Sequence, residues 1–204
     1  ITRDGVVFTY RVNGGCSGMY FFDGLARPLE EQRFSPGYSR STVTSYYDLP
    51  TKWVLSQVAS VQCISSIPSS WACDGDMVSE TIFDSVYALP IQTKAFTLVQ
   101  QTLSYDTTSS VASGQRGTLK TLADGNGNTT TVSSWKRGLP QSIVFPATSD
   151  QPSPASRTAT VDNSGWVTSV TDENGYKTCY AYDAMGRIAQ VTYPSQTQTG
   201  VCNT

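Results

Sequence analysis

Few residues in this chain could do chemistry, and their types narrow what that chemistry could be. The chain contains no histidine. That removes Ser-His-Asp and Cys-His catalysis, and His-ligated zinc or haem. Carboxylate chemistry, oxygen-ligated metals and thiol chemistry remain. Asp124-Gly-Asn126-Gly-Asn128 opens like an EF-hand loop, but Thr129 replaces Gly at the sixth position and Trp135 replaces Glu at the twelfth. A hairpin turn is the better reading. Asp74-Gly-Asp76 is similar and lacks further ligands. Gly15-Cys16-Ser17-Gly18 has neither the spacing of a nucleophile elbow nor a histidine base, and reads as a turn. Glu30, Glu31, Glu80 and Glu173 are candidates for a glycosidase carboxylate pair, yet no spacing among them is diagnostic. The expectation is a non-enzyme with no catalytic residue, no metal and no cofactor.

Cysteines and aromatics carry the remaining candidates. Cysteines stand at 16, 63, 73, 179 and 202, with no CxxC pair. Cys63 with Cys73, and Cys179 with Cys202, would each close a short surface excursion as disulfides in an oxidising compartment. Free buried thiols are the alternative, because spacing does not fix connectivity. Cys16 is then left over. Trp53, Trp71, Trp135 and Trp166, with 11 Tyr, offer stacking surfaces for a sugar. Most should pack as sheet core or cross-strand pairs. Trp71 is the candidate glycan contact, since it sits in a Ser/Pro segment between two cysteines.

The elements that must position these residues follow from composition. Of 204 residues only 15% are charged, about a quarter are Ser or Thr, and 11% are aromatic. Thr and Tyr favour strands, while Ser and Gly favour turns. The net charge is -2 and no basic tract exists, so a nucleic-acid role lacks its electrostatic footprint. No apolar run is long enough to span a bilayer. The pattern predicts strands over Val6–Val12, Thr42–Tyr47, Lys52–Val61 and Ala95–Tyr105. Gly24–Phe34 is the best helical candidate, but Pro28 and the lack of a second apolar turn argue against it. Residues 62–77 read as an irregular Cys-containing loop. Residues 146–158 read as a Pro/Ser-rich excursion.

The strongest signal is a repeat. Four tetrads have the form D-x-x-G: Asp124–Gly127, Asp162–Gly165, Asp172–Gly175 and Asp183–Gly186. Asp at the first position and Gly at the fourth suit a type I turn followed by a left-handed residue. The last three are spaced 10 and 11 residues apart, one strand plus one turn. Between the last two, Tyr176, Thr178, Tyr180 and Tyr182 share one face, and Lys177, Cys179 and Ala181 the other. Successive antiparallel hairpins are expected.

The stretch from Thr171 to Pro194 resembles a YD repeat of the Rhs family, on Gly175, Tyr180, Tyr182, Asp183, Gly186, Arg187, Ile188, Val191, Thr192 and Pro194. A more diverged copy runs from Leu122 to Pro146. Upstream, Tyr46-Tyr47-Asp48 followed by Trp53–Val58 is similar to segments that precede such repeats. Tyr20 to Pro28 echoes the same motif, with Ala26 where Gly is expected. The likeness is closest over 116–195 and looser over 5–115. The expected organisation is a diverged Rhs-type β segment over 1–115 and a YD-repeat segment over 116–204.

The resemblance implies an all-β fold of consecutive antiparallel β-hairpins, forming a twisted ribbon that is part of a spiral shell. It implies a structural role in a secreted or surface-exposed bacterial protein, with the shell enclosing a C-terminal toxin. The partners would be the remainder of the same polypeptide, other YD repeats and the toxin, with no nucleic acid and no membrane span. Tyr180 and Tyr182 would fill one face, and Arg187 would stack on them or cap carbonyls. No self-cleaving protease-like motif matches, and no toxin follows Thr204, so an internal piece of a larger protein is expected. The alternative is a carbohydrate-binding or adhesion module of a wall-associated protein, with a cell-surface glycan as partner.

Overall fold

The computed structural model describes residues 7–12, 16–67, 73, 75–108 and 115–203. The fold is all-β, and no α-helix occurs among the described residues. The chain forms two units, Ile1–Gln101 and Thr102–Thr204. The first holds β1 (Val7–Val12), β2 (Cys16–Phe22), β3 (Pro28–Ser35), β4 (Tyr38–Leu49), β5 (Val54–Ile67), β6 (Met77–Phe83) and β7 (Pro90–Ala95). β8 (Leu98–Tyr105) straddles the division. The second unit holds β9 (Leu119–Asp124), β10 (Thr129–Ser133), β11 (Ser142–Val144), β12 (Ser156–Val161), β13 (Val167–Thr171), β14 (Lys177–Tyr182) and β15 (Ile188–Thr192). Within each unit, each strand bonds to the next in the chain. Pairing is antiparallel in the first unit (β2 with β3, β3 with β4) and in the second (β12 with β13, β13 with β14).

Most connections are too short for a parallel crossover, which favours consecutive hairpins. Where an Asp turn closes a hairpin, the register commonly slips by a residue just before it. The slips fall at Phe21/Phe22, Ile82/Phe83, Thr160/Val161 and Ala181/Tyr182. Such bulges increase local twist. Few side chains are buried on both sides: Cys63, Ala88, Val132 and Val161 are the apolar ones among the described residues.

Several elements differ from the sequence expectation. Residues 24–34 hold no helix; β3 begins at Pro28. The strand expected from Lys52 begins at Val54, because Pro50–Lys52 forms a 3-10 turn that ends in a left-handed Trp53. The loop expected at 62–77 is narrower, since β5 continues to Ile67 and β6 begins at Met77. The single strand expected over Ala95–Tyr105 is a hairpin junction. Phe96 and Thr97 both have positive φ, 48° and 66°, the signature of a type I′ turn. Neither is Gly or Asn, so the turn left no compositional mark. The Pro/Ser excursion is closed at its root by the Phe145 N–H donating to the Ala155 carbonyl, and β12 begins at Ser156.

Candidate functional site

The D-x-x-G tetrads all fold the same way. In each, the Gly N–H donates to the Asp carbonyl, and the Asp N–H donates to the carbonyl four residues on. This is a type I turn closed by a glycine bulge, with φ between 76° and 90° at Gly127, Gly165, Gly175 and Gly186. One Asp oxygen, Oδ1, accepts two further backbone N–H bonds, from the second and fourth residues after it. For Asp183 these come from Met185 and Arg187, both at 2.9 Å. For Asp162 they come from Ser164 and Trp166, and for Asp172 from Asn174 and Tyr176. The other oxygen, Oδ2, takes a side chain where the fifth residue supplies one. Arg187 donates its Nε–H to Asp183 at 2.8 Å, and Asn128 its Nδ2–H to Asp124 at 2.8 Å. The Asp124 carboxylate is thus spent on its own turn.

A fifth turn of this design stands in the first unit. Asp23 Oδ1 accepts from the N–H groups of Leu25 and Arg27, and Oδ2 accepts Arg27 Nε–H at 2.6 Å. Ala26 occupies the glycine position with φ 59°. A left-handed alanine costs about 1–2 kcal/mol, while glycine there would loosen the unfolded chain by about 0.4–1 kcal/mol. Ala26→Gly is therefore expected to raise stability by about 0.5 kcal/mol, read as a higher midpoint in urea denaturation. A lower midpoint would mean that Ala26 packs in a way its backbone does not show.

Arg27 does more than close its turn. Its Nη1 donates to both oxygens of Asp48 at 2.8 Å, and its guanidinium lies 4.5 Å from the centre of the Tyr46 ring. The Tyr46 hydroxyl donates to the Pro28 carbonyl, and the Tyr47 hydroxyl to the Asp84 carbonyl. Tyr47 also stacks on Phe83 with centroids 4.8 Å apart. The Tyr46-Tyr47-Asp48 motif thus ties together the turns that follow β2, β4 and β6. Sequence reasoning singled out this tripeptide but not Arg27 as its bridge, which depends on strand register.

Two of the repeat-motif residues, Tyr182 and Gly186, meet at Trp166 between alternate turns of the second unit. The Tyr182 hydroxyl donates to the Val167 carbonyl at 2.8 Å, and its ring lies 5.0 Å from that of Trp166. Trp166 covers Gly186: a Cβ placed there would lie 2.9 Å from the indole. Gly175 is held by the Gly200 N–H, which donates to its carbonyl at 2.8 Å. Tyr180 is half-buried in β14 opposite Val191. Arg187 does not stack on the tyrosines; its Nε is committed to Asp183 and most of the side chain is exposed. Cation–ring stacking occurs instead at Arg27.

Four carboxylates, Asp23, Asp48, Asp124 and Asp183, share an electrostatic signature. Asp183 is held below the usual carboxylate range first by the Arg187 N–H and then by its Nε–H. Asp23 is lowered first by the Arg27 N–H, Asp124 by the Asn128 side-chain amide, and Asp48 by the Arg27 guanidinium. A carboxyl depressed in the folded state binds fewer protons there than in the unfolded chain, so stability rises with pH in that window. The contribution is complete above the unfolded value of about 3.9 and is lost as pH falls through the lower folded values. With no histidine in the chain, the thermal midpoint should stay flat from about pH 7 to pH 5 and fall below about pH 4. A fall already at pH 6 would contradict this assignment.

The other candidates are scattered. Glu30 accepts bonds from Ser41 and Gln32, Glu80 pairs with Lys94 at 2.8 Å, and Glu173 with Arg157 at 2.8 Å. No two of these share a described bond or a cleft lining. Among the described residues no group of three metal-capable side chains occurs. Cys63 is bonded to Cys73 and Cys179 to Cys202, with Cα–Cα distances of 5.5 and 6.0 Å. Trp71 and Asp74 lie outside the described residues, as does the side chain of Cys16. Of the other tryptophans, Trp135 donates its Nε1–H to the Leu119 carbonyl and Trp166 packs as above, whereas Trp53 is 90% exposed.

Fold and site together define a class: an antiparallel ribbon of hairpins built from a repeated Asp-centred turn. Residues 161–198 match the family described as RHS Repeat. No curated protein matches the chain significantly. Among solved structures, the TcdB2-TccC3 crystal structure aligns over 90% of this chain and 12% of that one, with 11% identity and a TM-score of 0.47. The Tc holotoxin pore of Photorhabdus luminescens aligns over 92% of this chain and 10% of that one, with 12% identity and a TM-score of 0.43. A porin-like protein from Bacteroides uniformis aligns over 100% and 90%, with 12% identity and a TM-score of 0.29. The chain spans about a tenth of the length of the toxin chains. Among the described residues no helix is long and apolar enough to cross a membrane.

Proposed function

We propose that this chain is a non-catalytic wall segment of an Rhs/YD-repeat shell that encloses a C-terminal toxin of a secreted bacterial protein. The observation that carries this reading is the repeated turn, in which the Asp carboxylate is spent on closing a hairpin and Trp166 seals one turn onto another. Carboxylates used this way serve to hold the hairpins of a wall together. Its partners are other repeats of the same polypeptide, beginning at β15, which pairs with β14 alone among the described strands. The test is protease protection of the toxin region in the whole polypeptide. The toxin should resist digestion, and Gly186→Val should expose it. A toxin region cleaved equally in both proteins would overturn the reading.

A second reading, glycan binding at a bacterial surface, is favoured by one observation: the nine-tenths exposed Trp53, held on a left-handed backbone. A glycan array scored with Trp53→Ala beside Trp71→Ala distinguishes it. Sugar binding lost in either variant would replace the inert wall with an adhesion module.

A further inference from the structure

Two of the four D-x-x-G turns hold a reactive pair of residues. Asn126-Gly127 and Asn174-Gly175 fill the third and fourth positions, where the other two turns have Ser164-Gly165 and Met185-Gly186. In an Asn-Gly pair the glycine backbone nitrogen, once deprotonated, attacks the carbonyl carbon of the Asn side chain. A five-membered succinimide forms and ammonia leaves. Water then opens the ring at either carbonyl, giving aspartate or isoaspartate. Glycine hinders this attack least, since it has no Cβ and the freest backbone. A third such pair, Asn13-Gly14, lies outside the described residues.

Asn126 and Asn174 are both exposed, and neither side chain makes a hydrogen bond among the described residues. Their backbone N–H groups serve the turn, donating to Asp124 and Asp172. The neighbouring asparagines are poorer substrates. Asn128 spends its amide on Asp124 and precedes Thr129, while Asn163 precedes Ser164. In both reactive turns the attacking nitrogen is occupied. Gly127 N–H donates to the Asp124 carbonyl and Gly175 N–H to the Asp172 carbonyl, each at 3.0 Å. Reaction must therefore wait for the turn to open locally. The two turns differ in what opposes that opening. Gly127 has nothing within 4 Å of a Cβ position. Gly175 is tied from outside its turn: its carbonyl accepts the Gly200 N–H at 2.8 Å, and Thr199 lies 3.9 Å from its Cβ position. The Cys179–Cys202 bond anchors that segment.

We propose that Asn126-Gly127 is a site of spontaneous backbone modification, converting through a succinimide to isoaspartate, and that Asn174-Gly175 is a second such site held shut by the disulfide-anchored segment over Gly175. Isoaspartate at Asn126 inserts one methylene into the main chain before Gly127. The Gly127 N–H bond to the Asp124 carbonyl and the Asn128 N–H bond to Asp124 Oδ1 then lose their spacing. The new carboxylate also stands beside that of Asp124. The β9–β10 hairpin therefore loosens as the protein ages. This chemistry is independent of the shell reading, because it concerns the turns alone.

The test is timed incubation of the 204-residue chain in neutral and mildly alkaline buffer. Peptide mapping by mass spectrometry and methyl transfer by an isoaspartyl methyltransferase are the readouts. Isoaspartate should accumulate at Asn126, faster in the alkaline buffer because the glycine nitrogen must lose its proton. Asn174 should convert roughly three- to tenfold more slowly, the change in local opening that one backbone hydrogen bond sets. Asn163 should stay intact over the same time. Hydrogen exchange at Asn128 should quicken in the aged chain and not in aged Asn126→Gln. Paired substitution of Cys179 and Cys202 by serine, incubated below its melting midpoint, should bring Asn174 level with Asn126 and leave Asn163 intact. No isoaspartate at Asn126, or none of the change at Asn128, would overturn the proposal. Equal conversion of Asn126 and Asn174 in the disulfide-bonded chain would overturn the hold on Gly175. So would conversion of Asn163 alongside Asn174 in the serine variant, which would mark unfolding of the whole unit.

Discussion

Gly186→Val is expected to destabilise the second unit by about 3 kcal/mol, from a left-handed side chain costing about 1–2 kcal/mol and overpacking costing about 1–3 kcal/mol. For a unit of about 100 residues that is a fall in thermal midpoint on the order of 15 °C. Both causes act at this residue. Its φ is 76°, and a Cβ would meet the Trp166 ring at 2.9 Å. Gly127 isolates the backbone effect, since its φ is 86° with nothing within 4 Å of a Cβ. Gly127→Val should therefore cost only the backbone share, about 1–2 kcal/mol. Combining Gly186→Val with Trp166→Ala should cost less than the sum of the two, because the valine then has room. Thermal melts followed by circular dichroism give all four values. Equal losses at Gly186 and Gly127 would mean that the indole does not seal the turn.

Loss of the Cys179–Cys202 bond is the second large effect. The bond closes a loop of sequence separation 23. Loop entropy alone gives about 3 kcal/mol for a closure of this length. The bond also holds the segment that follows β15 against the sheet. There Cys202 bridges Pro194, the Asn203 N–H donates to Tyr193, and the Gly200 N–H donates to the Gly175 carbonyl. The paired substitution of Cys179 and Cys202 by serine should lower stability by about 3 kcal/mol. It should also abolish hydrogen-exchange protection at Gly200 and Asn203 while leaving β13 protected. The Cys63–Cys73 bond, with separation 10, should matter somewhat less, because the entropy grows with the logarithm of loop length. A midpoint unchanged by reduction would contradict the account.

What could be read from the sequence was whatever a local rule dictates. Asp and Gly three residues apart mark the tetrads because one carboxylate and one left-handed residue are chemical requirements of that turn. The Tyr180 to Arg187 motif was legible through its resemblance to a YD repeat, of which turn chemistry accounts for Asp183 and Gly186 alone. Ala26 was visible as a departure, and the structure gives it the glycine backbone all the same. Phe96-Thr97 was hidden because neither residue announces a positive φ. The Lys52 start failed because Pro50 and a left-handed Trp53 insert a 3-10 turn that alternation does not reveal. The contacts between turns were out of reach for a different reason. Trp166 meets Gly186, and Arg27 meets Asp48, only because alternate hairpins close at the same end of a sheet.

The central claim, a wall segment that continues into further repeats, is tested most directly by electron cryo-microscopy of the whole polypeptide. The account predicts that the free edge of β15 is paired by a following strand and that this ribbon forms part of the wall of a closed cavity holding the toxin region. A map in which β15 ends free in solvent, with no enclosed cavity beside it, would contradict the account.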